Sequence, residues 1–401
     1  MKIRNLWFQV RNKWKLATYV LAGIIVLASV GYVYRYEPFR SDFEITDELG
    51  GNIFPVTILS TATTDAELIL PSDTDYIGDP KSCIGIRIKN THANSKLRIE
   101  VEETPFFSRS VSEFILPEAR KEYLVFPDIV WKFETLREHT QPVPLTVSVS
   151  VRLNNHELGS NVRTFSVRSV NECLLGYVDS RMKFHDTGKF FAAYVNEDNP
   201  NIDVILREAL DTRIVNRFWG YQSKSSDVVD KQVYALWYVL QKRGFKYSSI
   251  SNTSLSSNVV FSQRVRTFDD ALASAQINCV DGSVLFASLL KAININPILV
   301  RTPKHMFVGY YTDRMHQHIH FLETSMIGDV NLDDFFPEEK LDSTMAGKSQ
   351  ESMSRLVFEK SKEYATRIYQ ENEPLIHSGK VNYMFLEIDK VTRAQIQPIG
   401  K

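Results

Sequence analysis

Strand-like and helix-like patterns are segregated along this chain, and that order limits its fold more than any other feature. Between about residue 50 and residue 170 lie short runs rich in branched and aromatic residues: FPVTILS, CIGIRIK, KLRIEVEE, EYLVF, LTVSVSVR and VRTFSVR. Several alternate with period two, as half-buried strands do. Ile84, Ile86 and Ile88 share one face, while Cys83, Arg87 and Lys89 share the other. Asn154-Asn155, between two runs, is a turn signal. From about residue 180 the spacing becomes helical. NPNIDVILREALDTRIVNRF is one such stretch, and SSDVVDKQVYALWYVLQKRG carries a stripe of Val229, Val233, Leu236, Trp237 and Leu240 between a capping Ser226 and a terminating Gly244. TFDDALASAQ opens with Thr267 and places Asp270 three residues on, close to a capping box. Three strand-like runs follow, PILVR, HMFVGYY and HIHFLET, then a helix over residues 348–370 with Met353, Val357, Tyr364 and Ile368 on one face, then a last strand, YMFLEI. Helices followed by an antiparallel sheet predict an α+β class.

A length of 401 residues implies two or three units. Seven or eight strands in about 120 residues predict an immunoglobulin-like β-sandwich over residues 50–172, a spacer or binding module. Residues 180–401 form the mixed domain. A net charge of −1 offers no general electrostatic case for nucleic acid. One segment stands outside both units. Residues 16–34, LATYVLAGIIVLASVGYVY, bounded by Leu16 and Tyr34, are nineteen residues without a charge, enough to cross roughly 30 Å of hydrocarbon as a helix. Lys2, Arg4, Arg11, Lys13 and Lys15 precede it with no acidic residue, and Trp14, Tyr32 and Tyr34 lie near its ends. The expectation is a basic cytoplasmic tail (1–15), a signal anchor (16–35) in the inner membrane, and a periplasmic bulk. A cleaved signal peptide fits less well, because the apolar region is long and no clean A-x-A site follows.

Cys83, Cys173 and Cys279 are the three cysteines, an odd number for an exported chain. Cys83 lies opposite the isoleucine face, which argues against a core bridge to Cys173. Cys279 differs from both. Asn278 before it can cap a helix, and Asp281 lies at the third helical position. Gly282, Leu285, Phe286, Leu289, Leu290 and Ile293 then follow core spacing. A thiol in the first turn of such a helix meets free N–H groups and a dipole that stabilise an anion. A thiol nucleophile also needs a base, and the base an orienting group. His305 opens HMFVGYY, and Glu323 closes HIHFLET eighteen residues later. A hairpin closed about Arg314 sets Tyr311 opposite Gln317 and His305 opposite Glu323, with Cβ atoms about 5 Å apart. Gln276 or the backbone N–H of Cys279 would serve a developing oxyanion.

A cysteine at a helix start, a histidine opening a strand and an acid ending the next strand resemble the transglutaminase-like superfamily, which shares the core of papain-like cysteine enzymes. NCVDGSVLFASLLKAININPILV, HMFVGYY and FLETS carry the resemblance. It implies Cys279 as nucleophile, His305 as general base and acid, and Glu323 as orienting carboxylate. Glu323 stands where the family usually has Asp, and Met306-Phe307 where it usually has Ala-Trp. The implied reaction is attack on an amide bond through a thioester, resolved by water or by an amine, on a protein or peptide substrate of the cell envelope and with no cofactor. The rival expectation is an inactive fold that serves as an envelope binding or scaffold module. His316, His318 and His320 have a spacing that can bind zinc, but beside a turn they read as a polar solvent face. Arg264 and Arg266 read as solvated or paired charges.

Overall fold

The structure is a computed structural model that describes residues 2–35, 41–71, 75–248, 257–328, 331–341, 343 and 347–400. It has the mixed α+β composition that the order of patterns predicts. The first element is a helix over Lys2–Arg35. Its side chains at Tyr19, Leu21, Ile24, Ile25 and Leu27 are each more than half exposed. Among the described residues no helix is long and apolar enough to cross a membrane. The side chains described within the uncharged run are those of residues 17–31. Leu16, Tyr32 and Tyr34 and the basic residues up to Lys13 lie outside the described side chains.

Two sheets follow. One has the strand order Phe43–Thr46, Gly85–Asn90, Lys121–Phe126, Tyr76–Gly78. The other has the order Asn52–Ile53, His156–Val167, Val143–Leu153, Ser95–Val101, Ser110–Leu116. Their facing residues share one core: Ile84, Ile86 and Ile88 from the first, and Leu97, Ile99, Val101, Val147, Val149 and Val151 from the second are all buried. Asn154 and Asn155 take positive φ values of 51° and 64° between the paired residues Leu153 and His156. That is the two-residue hairpin loop whose twist matches its strands, and asparagine tolerates it. The first strand, at Phe43–Thr46, precedes the expected start at residue 50.

FPVTILS is not a strand. Pro55–Thr61 is a helix in which every residue is buried. Pro55 supplies the preset φ of a first helical position. The Thr57 hydroxyl donates to Phe54 O and the Thr61 hydroxyl to Thr57 O, which satisfies these groups inside the core. Tertiary burial on all sides has overridden the β preference of Val56, Thr57 and Ile58. This helix packs against the 3-10 segment Gly188–Tyr194, so one hydrophobic core runs through both halves of the molecule.

The second half holds the helices Pro200–Asp211, Ser226–Lys242, Phe268–Ser274, Cys279–Ala292 and Gln350–Ile376. Ser225, not Ser226, occupies the cap of the second of these. An antiparallel sheet has the order Ile319–Leu322, His305–Tyr311, Pro297–Thr302, Met384–Glu387. The Cys279–Ala292 helix lies on its two central strands, and the Gln350–Ile376 helix covers its edge at Ile319–Leu322. Trp237 binds the helices together, with its ring centroid 5.7 Å from Phe358 and 6.3 Å from Phe286. A three-stranded sheet, Phe184–Asp186, Glu172–Val178 and Val260–Arg264, was not apparent from the spacing and forms the opposite wall of the site.

Candidate active site

Cys279 is the first residue of its helix, and the cap before it is complete. The Asn278 side chain accepts from the N–H groups of Val280 and Asp281, both at 2.8 Å, and Asp281 accepts from Asn278 N at 3.2 Å. The reciprocal box leaves the Cys279 N–H, which has no acceptor within a helix at that position. Asp281 is itself locked, accepting from Arg266 N at 2.8 Å and Arg266 Nη1 at 2.5 Å. Arg266, read from sequence as a solvated or paired charge, is paired and fixes the start of the helix that carries Cys279. Behind the cap, a Cβ on Gly282 would lie 2.8 Å from Thr324 Oγ1. The absence of a side chain there lets the helix approach the turn that carries Glu323.

The hairpin between His305 and Glu323 has a different register from the expected one. Tyr311 pairs with Ile319, Tyr310 with His320 and Val308 with Leu322. The turn is therefore centred on Met315, not Arg314, and Glu323 does not stand opposite His305. The cause is Asp313, whose carboxylate accepts from the N–H groups of Met315, Gln317 and His318 and holds a wide turn. A two-residue shift keeps each side chain on its expected face. The chain also leaves the strand at Leu322, and Glu323 caps the 3-10 turn Thr324–Ile327. From there its carboxylate reaches His305 Nε2, and the extra methylene relative to aspartate helps span the offset. The other oxygen accepts from Ser325 N at 3.0 Å and Ser325 Oγ at 2.6 Å. Ser361, on the Gln350–Ile376 helix, receives the Glu323 N–H at 3.0 Å. Glu323 has no solvent exposure at all.

Nε2 of His305 is engaged by Glu323. Burial acts to depress the His305 imidazolium, but its interactions with Cys279 and Glu323, and their negative charge, outweigh it and push the group up to about 10. Glu323 thus bonds His305 directly, and Cys279 shares the cleft with His305. Cys279 is a free thiol, as are Cys83 and Cys173. Burial pushes the Cys83 thiol up to about 12 and raises Cys173 further, so both behave as small apolar groups. Tyr247 lies close enough to feel Cys279, Glu323 and Asp281. Burial and those charges push its phenol up to about 12.

Cys279 and His305 open on a cleft of about 490 Å³ between the three-stranded sheet and the four-stranded sheet that holds His305. Leu175, Phe184, Phe191 and Phe261 give it an apolar wall, and Ser262, Gln263 and Asn382 a polar one. Gln276 is exposed and does not line the cleft, whereas Cys279 does. His316, His318 and His320 turn to three separate carboxylates, Glu387, Asp313 and Asp230. Among the described residues no group of side chains is placed to hold a metal ion. Reading the sequence missed the partner of Arg266, and missed Ser325, Ser361 and the aromatic wall, because each reaches the site through packing with no local pattern. No family model matches the chain, and no curated protein matches it.

Proposed function

We propose that this chain is a membrane-anchored, periplasmic cysteine enzyme with a transglutaminase-like, papain-like core behind an immunoglobulin-like sandwich, acting on an amide bond by acyl transfer. The observation that carries this reading is the His305–Glu323 hydrogen bond beside Cys279, with Cys279 and His305 lining one cleft. At neutral pH the thiol proton rests on His305, and the Cys279 thiolate adds to the amide carbonyl carbon. The oxygen that becomes negative meets the Cys279 N–H at the positive end of the helix. As the C–N bond breaks, the imidazolium returns its proton to the departing amine and a thioester remains. Water or an amine, deprotonated by His305, then attacks the thioester and frees the thiol. Glu323 keeps the imidazole oriented and its charge balanced throughout. The anchor is supported by the uncharged run and by a helix whose described apolar side chains face no protein.

The test is the pH dependence of iodoacetamide labelling at Cys279 in the full-length protein and in His305→Ala. An activated thiol labels faster than a free model thiol at neutral pH in the wild type and loses that advantage in the variant. The profile of a free model thiol in both proteins would leave Cys279 a core cysteine and favour the scaffold reading. The anchor is tested separately: the protein should resist alkaline washing of membranes, and opening the outer membrane should expose its bulk to protease.

A further inference from the structure

We infer that the cleft beside Cys279 recognises a peptide carrying a carboxylate within a residue or two of the scissile amide, held by Arg301 with Lys304 at the rim. This rests on the acyl-transfer reading of the same site. The charged residues lining the cleft are Arg301, Lys304 and His305, and among the described residues no Asp or Glu lines it. The whole chain carries a net charge of −1, so this positive lining is local.

Arg301 is the informative member. It is only 8% exposed, and a guanidinium in that position normally meets carboxylate or carbonyl acceptors on several of its five N–H groups. Here Nη2 donates to Asn382 Oδ1 at 2.7 Å, while Nη1 has no hydrogen-bond partner. Asp186 stands off at 3.9 Å. Its two oxygens already accept from Gly188 N at 2.8 Å and Asn382 N at 3.1 Å. Arg266, thirty-five positions earlier, shows the contrast: it holds Asp281 at 2.5 Å. Arg301 is thus a buried cation whose own chain has left it under-neutralised.

Its placement suits substrate binding. Arg301 and its cross-strand partner Met306 alternate in face with Thr302 and His305, yet Arg301, His305 and Cys279 all line the one cleft. A group held by Arg301 therefore lies in the same cleft as Cys279. Phe184, Phe191 and Phe261 beside it can cover the apolar part of an acyl chain, and a cleft of this size is within the range of small-ligand sites. Charge-assisted, forked pairing is what arginine offers a carboxylate, and lysine at the rim adds a point charge.

The experiment measures protection of Cys279 against iodoacetamide by short peptides on the full-length protein. The probes are acetyl-Ala-Ala-Ala as free acid and as amide, and acetyl-Ala-Glu-Ala-amide against its Gln counterpart. One acid form should protect at about tenfold lower concentration than its neutral partner. The pair that shows the effect identifies the carboxylate as a chain terminus or a side chain. Arg301→Gln should remove the preference, and Lys304→Gln should reduce it by less than about threefold. Equal protection by acid and neutral forms would overturn the proposal, as would a preference that survives Arg301→Gln, or inorganic phosphate protecting as well as the acids. If Arg301→Gln does not fold, the wild-type comparison of acid with neutral peptide still decides. An unactivated thiol also alkylates, so the assay reads binding whatever His305 does. An acid preference without the labelling advantage of Cys279 would sink the acyl-transfer reading and leave the subsite standing.

Discussion

The start of the Cys279–Ala292 helix and the end of the Ile319–Leu322 strand each bury a carboxylate in a capping position, and the two are neutralised in different ways. Asp281, 1% exposed, meets the permanently charged Arg266 and the Asn278 N–H. Glu323, 0% exposed, meets a serine hydroxyl, a backbone N–H and an imidazole. A carboxylate opposite arginine has a fixed charge state and serves geometry. A carboxylate whose sole cationic partner is a histidine ties that histidine's protonation to its own charge, and so to chemistry.

The largest effect expected from this contrast is Arg266→Met. It strands Asp281 as a buried, uncompensated charge, so urea unfolding should show a loss of about 3–5 kcal/mol. Glu323→Gln should cost a similar amount at neutral pH, because the imidazolium loses the carboxylate that holds its proton. Its distinguishing signature is in His305. NMR titration of the imidazole should give a midpoint near 10 in the wild type and one displaced towards about 6.5 in the variant. The sign follows from the direction of the shift. His305 is raised in the folded state, so its contribution to stability is fully present below about pH 6.5 and is lost as pH rises through about 10. Glu323→Asp should resemble Gln in this titration, because the shorter side chain cannot span the register offset. If it matches the wild type instead, the role assigned to the extra methylene is wrong.

Gly282→Ala should come next, at about 1 kcal/mol net. Crowding against Thr324 costs about 1–3 kcal/mol, and the better helix propensity of alanine returns up to about 1. Thermal unfolding at pH 7 would measure it, and a more stable variant would show that the Thr324 turn yields freely. The smallest effect belongs to Glu113, paired with Arg98 on the exposed face of the sandwich. Glu113→Gln should change stability by less than about 0.5 kcal/mol in the same assay.

The same contrast explains what could be read from the sequence. Asn278, Cys279 and Asp281 were legible because a cap and its helix are local, with every partner within three residues. Most strands of the first two sheets were legible because a period of two survives any arrangement of neighbours. The partner of Asp281 was not, since nothing in the sequence marks which arginine folds back onto it. The register of the histidine hairpin was misjudged by two residues because Asp313 gathers three N–H groups and widens the turn. Pro55–Thr61 was misread because burial on every side, not the β preference of its residues, decides its shape. Arg301 looked like an ordinary strand residue, and only the count of its acceptors sets it apart.

The contact between Glu323 and Ser361 also bears on when the site comes into being. Glu323 N–H and carbonyl are both engaged by Ser361 Oγ, thirty-eight residues downstream. Strand Pro297–Thr302 gains its outer neighbour only from Met384–Glu387. Gln397 N bonds Ser60 O and Ile399 N bonds Ala193 O, which ties the last described turn to early parts of the chain. A chain still being synthesised can form the helix that carries Cys279, yet cannot seat the acid behind His305 until these later residues have emerged. On the acyl-transfer reading, nucleophilicity is thereby scheduled late in biogenesis, after the stretch of synthesis in which a reactive thiol would meet unfolded neighbours.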